Sequence, residues 1–253
     1  MFRHAIVRKP CQNLVRGISS ALLGKPDYEQ AMRQHAAYVD ALRSCGLEVI
    51  VLEADERYPD STFVEDTAIV TEKMAVVTSF GAPSRRGEEG SIAEALKSFF
   101  PNLEYIKPPG TLEGGDVMRA GDHFYIGLSQ RTNREGANQL VQILEKSGYA
   151  ASLVPLERVL HLKTGVAYLE DKKLLAAGEF IAHPVFREFH LVPAAEDELY
   201  AANSLWVNGW VLVPAGFDKT KQAIENLGYS VKTVDVSEFR KLDGGLSCLS
   251  LRF

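Results

Sequence analysis

Several things are scarce in this chain. Among 253 residues there are three cysteines, Cys11, Cys45 and Cys248. An odd number at such wide spacing excludes a disulfide framework and points to a reducing cytoplasm. No apolar run approaches the roughly 20 residues of a membrane-spanning helix, so no membrane partner is expected. The opening Met1-Phe2-Arg3-His4-Ala5-Ile6-Val7-Arg8 lacks the apolar core of a secretion signal and reads as a strand. Lysines and arginines form no cluster and the formal net charge is −5, which argues against nucleic acid as a partner. His4, His123, His183 and His190 have no metal-ligand spacing to one another or to a cysteine. What is present is ordinary: 46% hydrophobic and 24% charged residues, enough to bury one large core or two modest ones. The acidic balance suits a small cationic substrate without selecting one.

The clearest element is a helix capped by Asp27, with Gln30 three residues on. Its apolar positions Tyr28, Met32, His35, Val39 and Leu42 recur at helical spacing, and Gly46 stops it. Cys45 in its last turn is a structural thiol, and Cys11 has no neighbouring base. From there the chain repeats loosely. Phe63–Val70, Thr111–Met118, His161–Leu169 and Tyr200–Val207 each begin polar and turn apolar, then pass through a Gly, Asn, Asp or Glu turn into a second apolar strand. Helices are expected after three of the four, over Ser91–Phe99, Gly136–Lys146 (behind a Thr132/Glu135 capping box) and Lys219–Leu227; residues 178–197 of the third unit read mostly as loop. Units of about 40 to 50 residues suggest a radial array. The fifth unit is cut to its first strand at the C-terminus, and the N-terminal strand, helix and strand complete it. The expected architecture is a five-module α/β propeller in a single domain spanning residues 1–253.

A thiol five residues from the end of a chain is ordinarily an accident of a frayed tail. Here it follows Gly244-Gly245, and Leu246, Cys248 and Ser250 fall on one side of an alternating stretch. A closing strand would carry Cys248 to whatever the closure encloses, although a small buried hydrophobe fits these residues equally well. In a radial array the polar tips of the first strands meet at the axis. They carry Glu65 and Asp66, Glu113 and Asp116, His161 and Lys163, Asn203, and Cys248. A thiolate nucleophile needs a partner to exchange its proton and a third group to orient that partner, and Cys248, His161 and Glu113 are the set available.

Phe63-Val64-Glu65-Asp66, Glu113-Gly114-Gly115-Asp116, His161-Leu162-Lys163-Thr164 and Gly244-Gly245-Leu246-Ser247-Cys248 resemble the guanidine-modifying superfamily of penteins, most nearly the bacterial dimethylarginine dimethylaminohydrolases. The resemblance runs over nearly the whole chain, through Leu23-Gly24-Lys25-Pro26-Asp27-Tyr28, Ser84-Arg85-Arg86-Gly87-Glu88, Arg131-Thr132-Asn133 and Ser250-Leu251-Arg252-Phe253. It implies hydrolysis of methylated arginine to citrulline through a thiouronium on Cys248, with His161 moving protons, Glu113 orienting it, and no metal or organic cofactor. Asp60, Asp66 and the adjacent Glu65 would neutralise the guanidinium, with Phe63 against it. Arg85 and Arg131 would take the α-carboxylate, and Ile18 would sit on a mobile flap hinged at Gly17. A homodimer is common among such proteins.

Plainer readings stand beside these. Asp60 in Tyr58-Pro59-Asp60-Ser61 is also a turn former. Glu65 could pair with a neighbour at a strand end, Lys163 with a carboxylate, Asp116 could brace backbone, Arg86 could be solvated and His35 packed. A deiminase of free arginine or agmatine would share the thiol chemistry. Arginine deiminases, however, carry an extra helical insertion, and agmatine has no carboxylate for Arg85 and Arg131. A non-catalytic propeller would have no reason to keep Cys248, His161 and Glu113 together.

Overall fold

The computed structural model describes residues 1–253. The chain begins with β1 (His4–Arg8), α1 (Tyr28–Ser44) and β2 (Glu48–Leu52). Next come β3 (Ala68–Val70), β4 (Ala75–Val77), α2 (Glu88–Leu96) and β5 (Leu103–Tyr105), and then β6 (Val117–Ala120), β7 (His123–Leu128), α3 (Arg134–Lys146) and β8 (Ala150–Pro155). A third unit holds the one-turn α4 (Leu162–Gly165), β9 (Val166–Tyr168), β10 (Lys173–Ala176) and β11 (His190–Pro193). A fourth holds β12 (Leu205–Val207), β13 (Trp210–Pro214), α5 (Asp218–Asn226) and β14 (Ser230–Val234), followed by α6 (Ser237–Arg240) and β15 (Leu251–Arg252).

These strands make five three-stranded sheets, each with an antiparallel inner pair and a parallel outer pair. A tight turn suffices for the antiparallel step, whereas the parallel step needs a crossover. Helices supply that crossover in four sheets. In the third it is two short 3-10 turns, Gly178–Phe180 and Pro184–Phe186, so the segment expected to be mostly loop ends in a pairing strand, β11. The fifth sheet is assembled from both chain ends, with Ala5 opposite Arg252 and Ile6 opposite Leu251. The molecule is a five-module α/β propeller.

Apolar side chains collect between modules rather than on the axis. There are five clusters. One joins β1 and α1 to β12–β14, another joins β9–β11 to β12–β14, and Ile6, Ala68, Ala75 and Leu251 join the closing sheet to the next. Five wedges sealed against their neighbours leave a polar centre.

The module tips differ from the extended tips expected. Residues 64–67, 114–116 and 196–202 are 3-10 turns and Leu162–Gly165 is a helical turn, each running into the first strand of its module. Local hydroxyl bonds favour this: Thr67 Oγ1 donates to the Val64 carbonyl at 2.6 Å, and Ser204 Oγ to that of Ala201 at 2.8 Å. The tail likewise makes a 3-10 turn over Ser247–Leu249 before pairing. Asp27 caps α1 as expected, accepting from the Gln30 N–H at 2.7 Å. For α3 the cap is Asn133, accepting from Gly136 N–H at 2.8 Å, because Thr132 Oγ1 is occupied by the Glu113 N–H at 3.1 Å.

Closure depends on the β1–β15 pair and on Leu251, which is buried in the cluster beneath it. Leu251→Ala is expected to lower the unfolding free energy by about 2–4 kcal/mol in a denaturant titration. A loss below about 1 kcal/mol, the range of a surface change, would show that the closure is not held there.

Candidate active site

Cys248 sits in the tail turn, partly exposed, on the wall of a cavity of about 150 Å³ at one end of the propeller axis. His161, Asp66 and Arg131 reach the same cavity from three other modules. Asp60, Phe63 and Arg85 line it too, and Ile18 closes over it. Two residues expected there do not line it. Glu113 is fully buried behind His161, and Glu65 faces a different cavity.

The centre of the site is a ladder of buried charge. Glu113 Oε2 lies 2.9 Å from His161 Nε2, and Arg131 Nη1 reaches the same oxygen at 3.2 Å. Burial opposes a charged imidazole, but Asp66, Asp116 and Glu113 override it and raise His161 to about 9. Burial also opposes ionisation of Asp66, yet His161 and Arg85 hold it down at about 2. Its Oδ2 takes Arg85 Nη1 at 2.6 Å and its Oδ1 accepts the Gly115 N–H at 2.8 Å. Gly115 is required at that point: a Cβ there would stand 2.7 Å from the imidazole and 2.9 Å from Asp66 Oδ1.

Arg85 is more enclosed than a carboxylate-binding residue needs to be. Its guanidinium also pairs with Glu88 at 2.8 Å, donates to the Phe63 carbonyl at 3.1 Å and lies over the Phe80 ring. One Nη1 hydrogen is left without a partner. Arg131 is freer, with Nε and Nη2 unbonded. Sequence reasoning missed Glu88, whose signal is its place three residues after Arg85.

Of the three carboxylates that line the cavity, Asp60 is the fully buried one without a cation; Asp66 is paired with Arg85, and Asp243 is only half-buried. It is buried, has no ion pair, and accepts only the Ile18 N–H, at 3.1 and 3.2 Å. Burial accordingly raises its pKa. The flap is held at a second point that the sequence reading did not name. Asp243, in left-handed backbone at φ 58°, accepts from Ser20 N at 2.5 Å and Ser20 Oγ at 3.0 Å. Its signal is the Asp243-Gly244 pair, a common turn dipeptide. Gly244 itself packs so closely that a side chain would run into the Phe63 ring.

Burial pushes the Cys248 thiol up to about 12, and Glu65 and Asp66 add to this. At neutral pH it is therefore a thiol. Asp116 braces backbone, accepting the Leu162 N–H at 3.0 Å next to His161 and the Ser129 hydroxyl at 2.6 Å. Asp66, Glu113 and His161 offer atoms within 4.8 Å of one another, but these atoms already bond each other, Arg85, Arg131 and Gly115.

A five-fold α/β ring with a thiol, an imidazole and carboxylates from different modules at its axis defines a pentein. Residues 23–182 match the family model described as N,N dimethylarginine dimethylhydrolase, eukaryotic. The N(G),N(G)-dimethylarginine dimethylaminohydrolase of Pseudomonas aeruginosa is 54% identical over 100% of both chains, and that of Streptomyces coelicolor is 36% identical over 99% of this chain and 96% of its own. A solved structure of the Pseudomonas protein, a cysteine-to-serine mutant complexed with citrulline, superposes over 100% of both chains with a TM-score of 0.99. The N-terminal domain of ArgZ, an arginine dihydrolase, shares the fold at 19% identity and a TM-score of 0.89. The chain belongs to the dimethylarginine dimethylaminohydrolase family. No helix is long and apolar enough to cross a membrane.

The His161 shift fixes a sign for stability. Its pKa rises from 6.5 to about 9 on folding, so its contribution is complete below pH 6.5 and fades as the pH climbs toward 9. Unfolding free energy should therefore fall across that window, and His161→Gln should flatten the fall. Parallel curves for the two proteins would contradict the pairing with Glu113.

Proposed function

We propose that this protein hydrolyses Nω-methylated arginine to citrulline and an alkylamine, with Cys248 as nucleophile. The observation that carries the reading is Asp60, a buried carboxylate without a cation, facing a thiol whose neutral state is enforced by burial and neighbouring carboxylates. A guanidinium entering the cavity supplies the missing positive charge. It ion-pairs with Asp60, shares Asp66 with Arg85, and lies against Phe63. The same cation lowers the thiol pKa by proximity, so Cys248 releases its proton to solvent, His161 being already charged, and the nucleophile forms when there is something to attack.

The thiolate adds to the guanidinium carbon, making the S–C bond. The tetrahedral adduct collapses as the C–N bond to the methylated nitrogen breaks and His161 gives that nitrogen its proton. Neutral His161 then takes a proton from water as its oxygen adds to the thiouronium carbon. The C–S bond breaks, the hydroxyl proton passes to the departing sulfur to restore the thiol, and citrulline leaves. Glu113 stabilises the imidazolium and orients the ring through both stages. At the far end Arg131, with its free Nε and Nη2, holds the α-carboxylate, and Arg85 contributes its remaining hydrogen. Ile18 and the Ser20–Asp243 bond close the mouth and exclude bulk water. The three free thiols fit a cytoplasmic setting, and a homodimer is the proposed assembly.

Purified protein should release citrulline and dimethylamine from asymmetric dimethylarginine without added metal, and Cys248→Ser should abolish it. Assays run in parallel on monomethylarginine, arginine and agmatine discriminate the alternatives. A far higher kcat/KM for arginine would make the protein a deiminase, and substantial turnover by the serine variant would overturn the covalent route.

A further inference from the structure

Glu65 precedes Asp66 directly, yet it turns the other way. It faces a second cavity of about 170 Å³, which Lys163, Ser247 and Arg252 also line. Glu65 Oε2 accepts from Ser247 Oγ at 2.7 Å, while Oε1 lies 2.6 Å from Lys163 Nζ and 3.1 Å from Arg252 Nη2. Ser247 is the residue before Cys248. Its N–H donates to Asn203 Oδ1 at 2.9 Å, and Asn203 Nδ2 donates both to Ser247 Oγ at 3.1 Å and to the Lys163 carbonyl at 2.8 Å. Arg252 Nη1 donates to the carbonyls of Ser247, at 3.2 Å, and Ser250, at 2.8 Å. The backbone that carries the thiol is thus gripped from behind, on the side away from the substrate cavity.

A carboxylate is an awkward choice for that grip. Buried this near Cys248, its charge repels the thiolate on which the reaction depends. An amide would hold the Ser247 hydroxyl without that penalty. The arrangement is consistent with catalysis only if the charge is cancelled locally. Arg252 divides its donors between Glu65, two carbonyls and a hydroxyl, whereas Lys163 Nζ has Glu65 as its only protein partner.

We propose that Lys163 is a positioning residue for the reaction: it offsets the charge of Glu65, so that Glu65 can fix the Cys248 segment through Ser247 with less opposition to the thiolate when it forms. This rests on Cys248 being the nucleophile. Lys163 does not line the cavity that holds Cys248 and needs no contact with substrate. The charged and titratable groups around the thiol come from several elements: Glu65 and Asp66 from the 64–67 turn, His161 and Lys163 from the start of α4, Tyr200 from the 196–202 turn and Tyr38 from α1, with Asp60, Arg85, Arg131 and Asp243 on the walls of the same cavity and Arg252 behind Glu65. Among these cations His161 and Arg131 pair with Glu113, Arg85 with Asp66 and Glu88, and Arg252 divides itself between Glu65 and the tail backbone. Lys163 also enters directly, opposing the rise of the thiol pKa that Glu65 and Asp66 promote.

The test is the rate at which iodoacetamide alkylates Cys248 in the full-length protein without substrate, located by peptide mass spectrometry at a pH below the thiol's titration. Lys163→Met should slow alkylation about threefold, the result of a pKa rise of about one unit partly offset by greater intrinsic nucleophilicity. Glu65→Gln should speed it by a similar factor. The double variant, with both charges removed, should return to within about twofold of the parent, and Lys163→Arg should match the parent. In turnover, Lys163→Met should lower kcat with little change in KM. Single variants that alkylate at the parental rate would overturn the proposal. So would two single variants that both slow the reaction with no recovery in the double, since that is the signature of a merely structural brace. If Cys248 resists alkylation even in the parent at high pH, it is the nucleophile assignment that fails, and this proposal with it.

Discussion

Charge balance where the five modules meet is the constraint on which the rest of this structure depends. Arg85 answers Asp66 and Glu88, His161 and Arg131 answer Glu113, and Lys163 and Arg252 answer Glu65. Buried ions are tolerated only when paired and hydrogen-bonded. The Arg85 and Arg131 pairs brace the tip of a single module, whereas His161–Glu113, Lys163–Glu65 and Arg252–Glu65 each fix one module tip against another. These last pairs link modules that apolar packing joins only at their flanks. The site carboxylates left without a cation are Asp60, which meets the flap, Asp243, which is half-buried and taken up by Ser20, and Asp116, which is consumed by a backbone N–H and a hydroxyl. That leaves Asp60 as the place where an external cation completes the balance.

The late position of the thiol follows from the closure. Because the fifth sheet needs both chain ends, the residues just before β15 must cross the axis, and Cys248 is among them. Tyr38 adds a tie from α1, donating to the Leu246 carbonyl at 2.8 Å. The segment carrying the thiol is therefore held by the N-terminal strand, by α1 and by the charge network behind it. The mouth, by contrast, is held by a few bonds, part-buried from Ile18 and exposed from Ser19 and Ser20, none of which involves Cys248, His161 or Glu113.

Much of this was legible in the chain. The recurring pairs of apolar strands around Gly, Asn, Asp and Glu turns gave the module count, and the truncated last unit gave the closure. The set Cys248, His161 and Glu113 followed from asking which tips meet. Other features were hidden for physical reasons. A 3-10 turn and a strand tip have the same polar-to-apolar pattern over four residues, so the tips read as extended. In such a turn Glu65 and Asp66 can face different cavities, which the run Phe63-Val64-Glu65-Asp66 does not reveal. The Glu88 that engages Arg85 looks like any acidic residue in the first turn of a helix. The strand His190–Pro193 is four residues long and ends in proline, too little pattern to separate from loop.

The central claim is that the site is built one cation short and that substrate supplies it through Asp60. Calorimetric binding to the Cys248→Ser variant tests this directly, comparing cationic asymmetric dimethylarginine with neutral citrulline. The account predicts that the cation binds at least about tenfold more tightly, the scale of one charge-assisted pair, and that Asp60→Asn removes most of that preference while leaving citrulline binding nearly unchanged. Equal affinities for the two ligands, or a preference that survives Asp60→Asn, would contradict it.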